Sequence, residues 1–318
     1  MTTKLIRRFF VSVATLGLAA VSSSASADNA PLTHAGRATV YQSPSFEKNN
    51  SLESVSTPAA IRALFNKNGK PNYASSRIWQ VLEHGEKVEC LSCIPLVAGL
   101  LYDTHPKTRE IAAWWLRRRI FGVFGEGQVY TQVIATLADT SQHESRRAMA
   151  ANALGEFLSF GGREPLASAI RNDESGLVRQ AAVQALERMN TDGPKRELSL
   201  AMGDGDVRVR LAALHAATRI NVFTDIDSIV DRVGDEEATV RQAAVAALGT
   251  MRVADAVDSL VMLTSRENEP DASVRKSAVW SLGQIGDSAA ADAIRAAEKD
   301  ADPFVRDAAR IAGLRLGL

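Results

Sequence analysis

From about Glu86 onward, apolar and polar positions alternate with the period of a helix, and the alternation itself recurs. In Leu177-Val178-Arg179-Gln180-Ala181-Ala182-Val183-Gln184-Ala185-Leu186, positions 178, 181, 182, 185, 186 and 189 share one stripe at about 100° per residue, and 180, 184 and 187 lie opposite. The line Thr239-Val240-Arg241-Gln242-Ala243-Ala244-Val245-Ala246-Ala247-Leu248 is nearly the same. Related lines begin at Val209-Arg210, Val274-Arg275 and Val305-Arg306, and two more divergent copies at Thr108-Arg109 and Arg146-Arg147. The recurring arginines 109, 147, 179, 210, 241, 275 and 306 are spaced by 38, 32, 31, 31, 34 and 31 residues. A period of that length predicts one helical hairpin per repeat, stacked into a solenoid of about seven units over residues 86–318.

Each unit reads as a first helix, a turn and a second helix. The first helices are expected at 95–102, 129–138, 165–171, 196–202, 226–233, 254–263 and 289–298. The turn carries an acid (Asp103, Asp173, Asp206, Asp235, Asp271 or Asp302), which can accept free amides at the start of the second helix and suits the positive end of its dipole. Small residues fill the second helices because neighbouring helices in a stack must approach closely. Recurring at a fixed place in each unit, the arginine and the acid are expected to form a structural ladder between adjacent repeats. Ahead of the repeats, Thr57 as N-cap with Pro58 at the first helical position predicts a helix to Phe65, stopped by Asn66-Lys67-Asn68-Gly69; a second is expected over 76–82. These capping helices occupy 58–85. The stretch 28–57, rich in Ser, Asn, Pro and Thr without a period, is expected to be a poorly ordered arm.

The Val-Arg-x-(Ala/Ser)-Ala blocks resemble the HEAT repeat family, in the short bacterial form also called the phycobilisome-lyase HEAT-like repeat. The resemblance implies an all-α, right-handed superhelix used mainly to bind other proteins, with the second helices lining its concave surface. On that placement the column equivalent to 184 reads Trp114, Asn152, Gln184, His215, Ala246, Trp280 and Ile311. Aromatics on an open wall are typical of binding hot spots; the alternative is that curvature or the N-terminal arm covers them. Trp114, His215 and Trp280 are the expected partner contacts, whereas Trp115 falls in the buried column. Arg117 and Arg118, beside Arg119 and continued by Arg188 and Arg219, would make one end of the groove basic and suited to an acidic peptide, or else form a solvated face near a helix C-terminus. The di-iron hydroxylases of the family use several His-Glu pairs; only His143-Glu144 occurs here.

Composition and charge then narrow the picture. The chain holds 37 basic and 37 acidic residues. Residues 1–27 contain Lys4, Arg7 and Arg8 and no acid, so the remainder carries 34 against 37, a net charge of −3. That balance speaks against a strongly basic nucleic-acid binder. A basic start, the apolar run from Phe9 to Val21 and small residues ending Ala25-Ser26-Ala27 form the three-part pattern of a cleavable secretory signal. Arg7-Arg8-Phe9-Phe10 resembles part of the twin-arginine signature, but Ile6 stands where Ser or Thr is usual; the general secretory route is expected. The run is short for a membrane span, so a periplasmic or secreted chain without membrane insertion is expected.

The two cysteines, Cys90 and Cys93, precede Ile94-Pro95 at the entrance to the first repeat. In an oxidising compartment they are expected to form a static disulfide; the alternative is a dithiol–disulfide pair that exchanges. Ile94 after the second cysteine excludes covalent haem attachment. His84, Cys90, Cys93 and His105 match no tight zinc spacing, and no metal or cofactor is expected. No nucleophile elbow, phosphate loop or paired-carboxylate site is present, and Gly122–Gly127 and Gly161-Gly162 read as turns. The expected function is an exported, non-catalytic scaffold that takes a protein or peptide on its concave face. The alternative is a periplasmic thiol–disulfide accessory protein using Cys90 and Cys93. Chromophore-lyase activity rests on the repeat's name alone.

Overall fold

The computed structural model describes residues 55–318 apart from 123–124, 191–194 and 221–222, all within one compact unit, Glu47–Leu318. The proposed signal, 1–27, and most of the proposed arm lie outside the described residues. Helices α1 (Pro58–Ala63) and α2 (Ser75–His84) precede seven hairpins among the described residues. These pair α3 (Ile94–Gly99) with α4 (Pro106–Ile120), α5 (Gln128–Ala138) with α6 (Glu144–Phe157), α7 (Arg163–Asn172) with α8 (Gly176–Met189), and α9 (Lys195–Met202) with α10 (Val207–Arg219). They continue as α11 (Ile226–Val230) with α12 (Ala238–Thr250), α13 (Val257–Met262) with α14 (Ala272–Ile285), and α15 (Ala291–Ala297) with α16 (Pro303–Leu316). The expected all-α solenoid is therefore observed. Several first helices are extended by a 3-10 turn, as at Asp231–Gly234 and Ser288–Ala290, because these helices are too short to complete α-helical bonding at both ends. The one extended element among the described residues is a two-residue pair, β1 (Phe121–Gly122) against β2 (Gly125–Glu126), within the glycine-rich segment that reads as a turn.

The repeat pattern buries the predicted stripe. Val178, Ala181, Ala182, Ala185, Leu186 and Met189 are all buried, and Gln184 is exposed. Second helices of adjacent hairpins pack on one another far more extensively than first helices do. Glycine makes the approach possible at three joints. A Cβ on Gly155 would stand 2.7 Å from Ala185 Cα, on Gly249 2.4 Å from Ser281 Oγ, and on Gly283 2.7 Å from Ala312 Cβ.

The turn acids do two jobs at two positions, which corrects the expectation of one acid per turn. Four residues before the arginine, Asp206, Asp271 and Asp302 are N-caps, accepting amides of α10, α14 and α16 at 2.8–3.3 Å. Six residues before it, Asp173, Asp204, Asp235, Glu269 and Asp300 accept the arginine of the preceding hairpin. Arg147 grips Asp173 at 2.8 and 2.9 Å, Arg179 grips Asp204 at 2.7 Å twice, Arg241 grips Glu269 at 2.6 and 2.9 Å, and Arg275 grips Asp300 at 2.9 and 3.0 Å. Each of these arginines also donates through Nη1 to carbonyls of its own turn, for example Arg275 to Glu269 and Pro270. One guanidinium thus fixes the turn within a hairpin and the spacing to the next. The rung between α10 and α12 is weaker: Arg210 gives only Nη2 to Asp235, at 2.9 Å, and its buried Nε has no acceptor.

At the N-terminal end, Thr57 caps α1 by accepting from Ala60 N at 3.1 Å. Val55 is buried and Ser56 donates to His84 O, so packed structure already includes the last residues assigned to the arm. Helix α2 packs on α4. Trp115, in the predicted buried column, is fully buried and donates its indole N–H to Gly85 O at 2.9 Å.

Candidate functional site

The wall of even-numbered helices carries the column that runs through position 184. Gln184, His215, Ala246, Trp280 and Ile311 are exposed along it, while Trp114 and Asn152 at its N-terminal end are half-buried and Trp114 packs against the core. The predicted contacts therefore stand on one wall but do not converge. Trp114, Arg117 and Arg118 share α4, His215 is on α10, and Trp280 is on α14.

Around Trp280 the wall forms a true depression. A cavity of about 520 Å³ is lined by side chains of α12, α14 and α16, with Ala246, Trp280, Phe304, Ala308 and Ile311 as its apolar surface. Trp280, Phe304 and Ile311 are 38%, 67% and 42% exposed. Gln242, Lys276, Gln284 and Asp307 form the polar rim, and the Arg315 guanidinium lies 4.4 Å from the Trp280 ring centroid. Phe304 was not singled out by the sequence because it stands in the first turn of α16, outside the column. Its neighbours Asp302 and Pro303, a cap and a helix-starting proline, are the signal that places it there.

The arginines expected to make the other end basic are largely engaged within the chain. Arg118 pairs with Glu86, ahead of the first hairpin, at 3.3 Å, while Arg188 with Glu156 and Arg219 with Glu187, both at 3.1 Å, reach back to the preceding repeat. Arg119 stacks over Trp115 and donates to Val88 O, which turns it inward. Burial pushes the Glu156 carboxyl above its ordinary range, partly offset by Arg188. Arg117 is half-buried.

Cys90 and Cys93 form a disulfide. They are 7% and 0% exposed, so both sulfurs are screened from an attacking thiolate, which favours a staple at the start of the first hairpin over exchange. The His105 ring rests on Trp79, 4.8 Å between centroids, and its Nδ1 accepts Lys107 N. The described residues bring no three His, Cys, Asp or Glu side chains together in a metal-binding group. His143 serves as the N-cap of α6. No helix among the described residues is long and apolar enough to cross a membrane.

The family described as HEAT repeats matches residues 94–187, 163–248 and 226–313. No curated protein matches significantly. Among solved structures, Kap95p, in a complex with RanGDP, is 14% identical with a TM-score of 0.57, covering 83% of this chain and 38% of its own. Kap121p is 12% identical with a TM-score of 0.51, covering 86% and 34%. The complex of CpcE and CpcF of phycocyanin lyase from Nostoc is 23% identical with a TM-score of 0.38, covering 72% and 88%. Identities this low speak for fold alone. The solenoid is the kind of scaffold that suits protein binding, and on its repeats this chain belongs to the HEAT repeat family.

Proposed function

We propose that this chain is an exported, non-catalytic scaffold that binds a protein or peptide on the concave wall of its second helices, with the Trp280 depression as the principal contact. The observation that carries the reading is an exposed Trp-Phe-Ile cluster around a cavity of about 520 Å³, rimmed by amides and charges on three rigid helices. A large aromatic anchored beside a pocket and ringed by polar groups is the arrangement that concentrates binding energy. The solenoid of Kap95p engages RanGDP, which supports this use of the fold. His215, Trp114, Arg117 and Arg118 extend the same wall toward the N-terminal end and would serve as secondary contacts. Export is supported by the three-part pattern of residues 1–27 and is consistent with the Cys90–Cys93 disulfide.

The test places a photo-crosslinking residue at 280 and, as control, at Asp258 on the outer helix α13. A partner captured from 280 and not from 258 is then measured against Trp280→Ala and Phe304→Ala. Each is expected to weaken binding by at least about tenfold, the loss of an aromatic hot spot, with the fold intact by circular dichroism. Unchanged affinity in both variants rejects the groove. For export, the mature protein is expected in the periplasmic fraction with Asp28 at its N-terminus; recovery of the unprocessed chain in the cytosol rejects it.

A further inference from the structure

The arginine ladder has an open rung inside the solenoid. At four joints a guanidinium holds both oxygens of a carboxylate six residues before the next arginine, and at a fifth it holds one. Between the first and second hairpins that position is Ser141. The nearby Asp139 is committed to Ser141 and Gln142, whose hydrogen bonds hold its carboxyl below the usual range. Arg109 still gives Nη1 to Asp103 O and Thr104 O of its own turn, as the other arginines do. Its Nε and Nη2 have no acceptor among the described residues, and the residue lines a cavity of about 340 Å³ between α4 and α6.

The rest of that lining restricts what can enter. Leu101, Ala113 and Met149 are apolar, Asn152 offers an amide, and Arg188 is neutralised by Glu156. Glu110 is an acid beside Arg109 on the same cavity, so a multiply charged anion such as phosphate is repelled, whereas one carboxylate on a neutral frame with N–H donors can satisfy both Arg109 and Glu110. In every closed rung the carboxylate also accepts the amide two residues further on, as Asp173 does from Ser175 and Asp300 from Asp302. The geometry points to Arg109 as a docking site for an acidic side chain in a turn of a partner protein, which takes in trans the guanidinium edge that no carboxylate of the described residues holds. This site is separate from the Trp280 groove and does not depend on it.

The probe is the blocked peptide acetyl-Asp-Gly-Ser-amide, titrated into the full chain and followed by the Arg109 Nε–H resonance. A saturable shift is expected, absent with acetyl-Asn-Gly-Ser-amide and with inorganic phosphate. Ser141→Asp, which supplies the missing acid in cis, is expected to move the resonance before any peptide is added and to weaken peptide binding at least tenfold. Trp280→Ala is expected to titrate as the parent does. No shift in the parent, an equal response to the Asn peptide or to phosphate, unchanged binding in Ser141→Asp, or loss of binding in Trp280→Ala would each overturn the proposal.

Discussion

At Arg275 and Asp300 two charged side chains, 3% and 6% exposed, answer one another at 2.9 and 3.0 Å. A buried pair of this kind contributes little net stability against an apolar substitute, but removing one partner strands the other. Asp300→Ala is therefore expected to cost about 3–5 kcal/mol in urea denaturation. Arg275 holds the Asp300 carboxyl below its ordinary range; at Glu269 burial is the largest single influence and pulls upward, but the hydrogen bonds from Arg241 and the Asp271 amide, together with the Arg241 charge, outweigh it, and the net direction is down. For a carboxylate lowered in the folded state, the stabilisation is full above the unfolded value, about 3.9 for Asp, and is lost as pH falls through the folded value. The difference between parent and Asp300→Ala should accordingly shrink below about pH 4 in denaturation curves; a difference constant from pH 7 to pH 3 would refute the assignment. The arginines were legible because they recur. Their acceptors were not, because Asp204, Glu269 and Asp300 vary in type and sit two residues from capping acids that look the same in a linear reading.

Helices pair through glycine where the stack is tightest. A Cβ at Gly283 would lie 2.7 Å from Ala312 Cβ and 2.8 Å from its Cα, and neither atom belongs to a flexible side-chain end. Gly283→Val is thus expected to cost about 1–3 kcal/mol by chemical denaturation through overpacking. Gly99, at the end of α3, faces open space, and Gly99→Ala is expected to be neutral or stabilising by up to about 1 kcal/mol. The hairpins themselves were readable from period and caps, as Asp302 and Pro303 opening α16 illustrate. The 3-10 extensions were not, because they arise from a balance between short length and end bonding that periodicity does not encode.

Across the whole molecule the ladder is uneven. Joints between hairpins 2 and 3, 3 and 4, 5 and 6, and 6 and 7 have a full two-point grip, the joint between 4 and 5 has one hydrogen bond to Asp235 with Glu236 farther off at 3.5 Å, and the joint between 1 and 2 has no such rung among the described residues. In a solenoid each unit is stabilised mainly by its neighbours, so a weak joint divides the stack into separately opening blocks. Hydrogen exchange read by mass spectrometry is expected to show hairpins 2–4 and 5–7 opening as two blocks, with the α10–α12 joint exchanging earlier than the α14–α16 joint. Equal protection across all joints would contradict that reading.

The repeat period, the helix stripes and the caps follow from local chemistry, since a 3.6-residue alternation, an Asp before a helix and a small residue at a contact carry the same meaning wherever they occur. Those features alone determined an all-helical stack of seven hairpins and singled out the column that contains Trp280. Whether a column position is open depends on what its neighbours place beside it, and only the tertiary structure decided that. Trp114 and Trp280 hold equivalent places, yet Trp114 packs against the core and Trp280 borders a cavity walled by Phe304 and Ile311 from the next helix. Arg118, Arg188 and Arg219 read as free cations until glutamates nearer the N-terminus came within reach, and Arg109 read as one of seven equivalent arginines until folding left no carboxylate opposite it among the described residues.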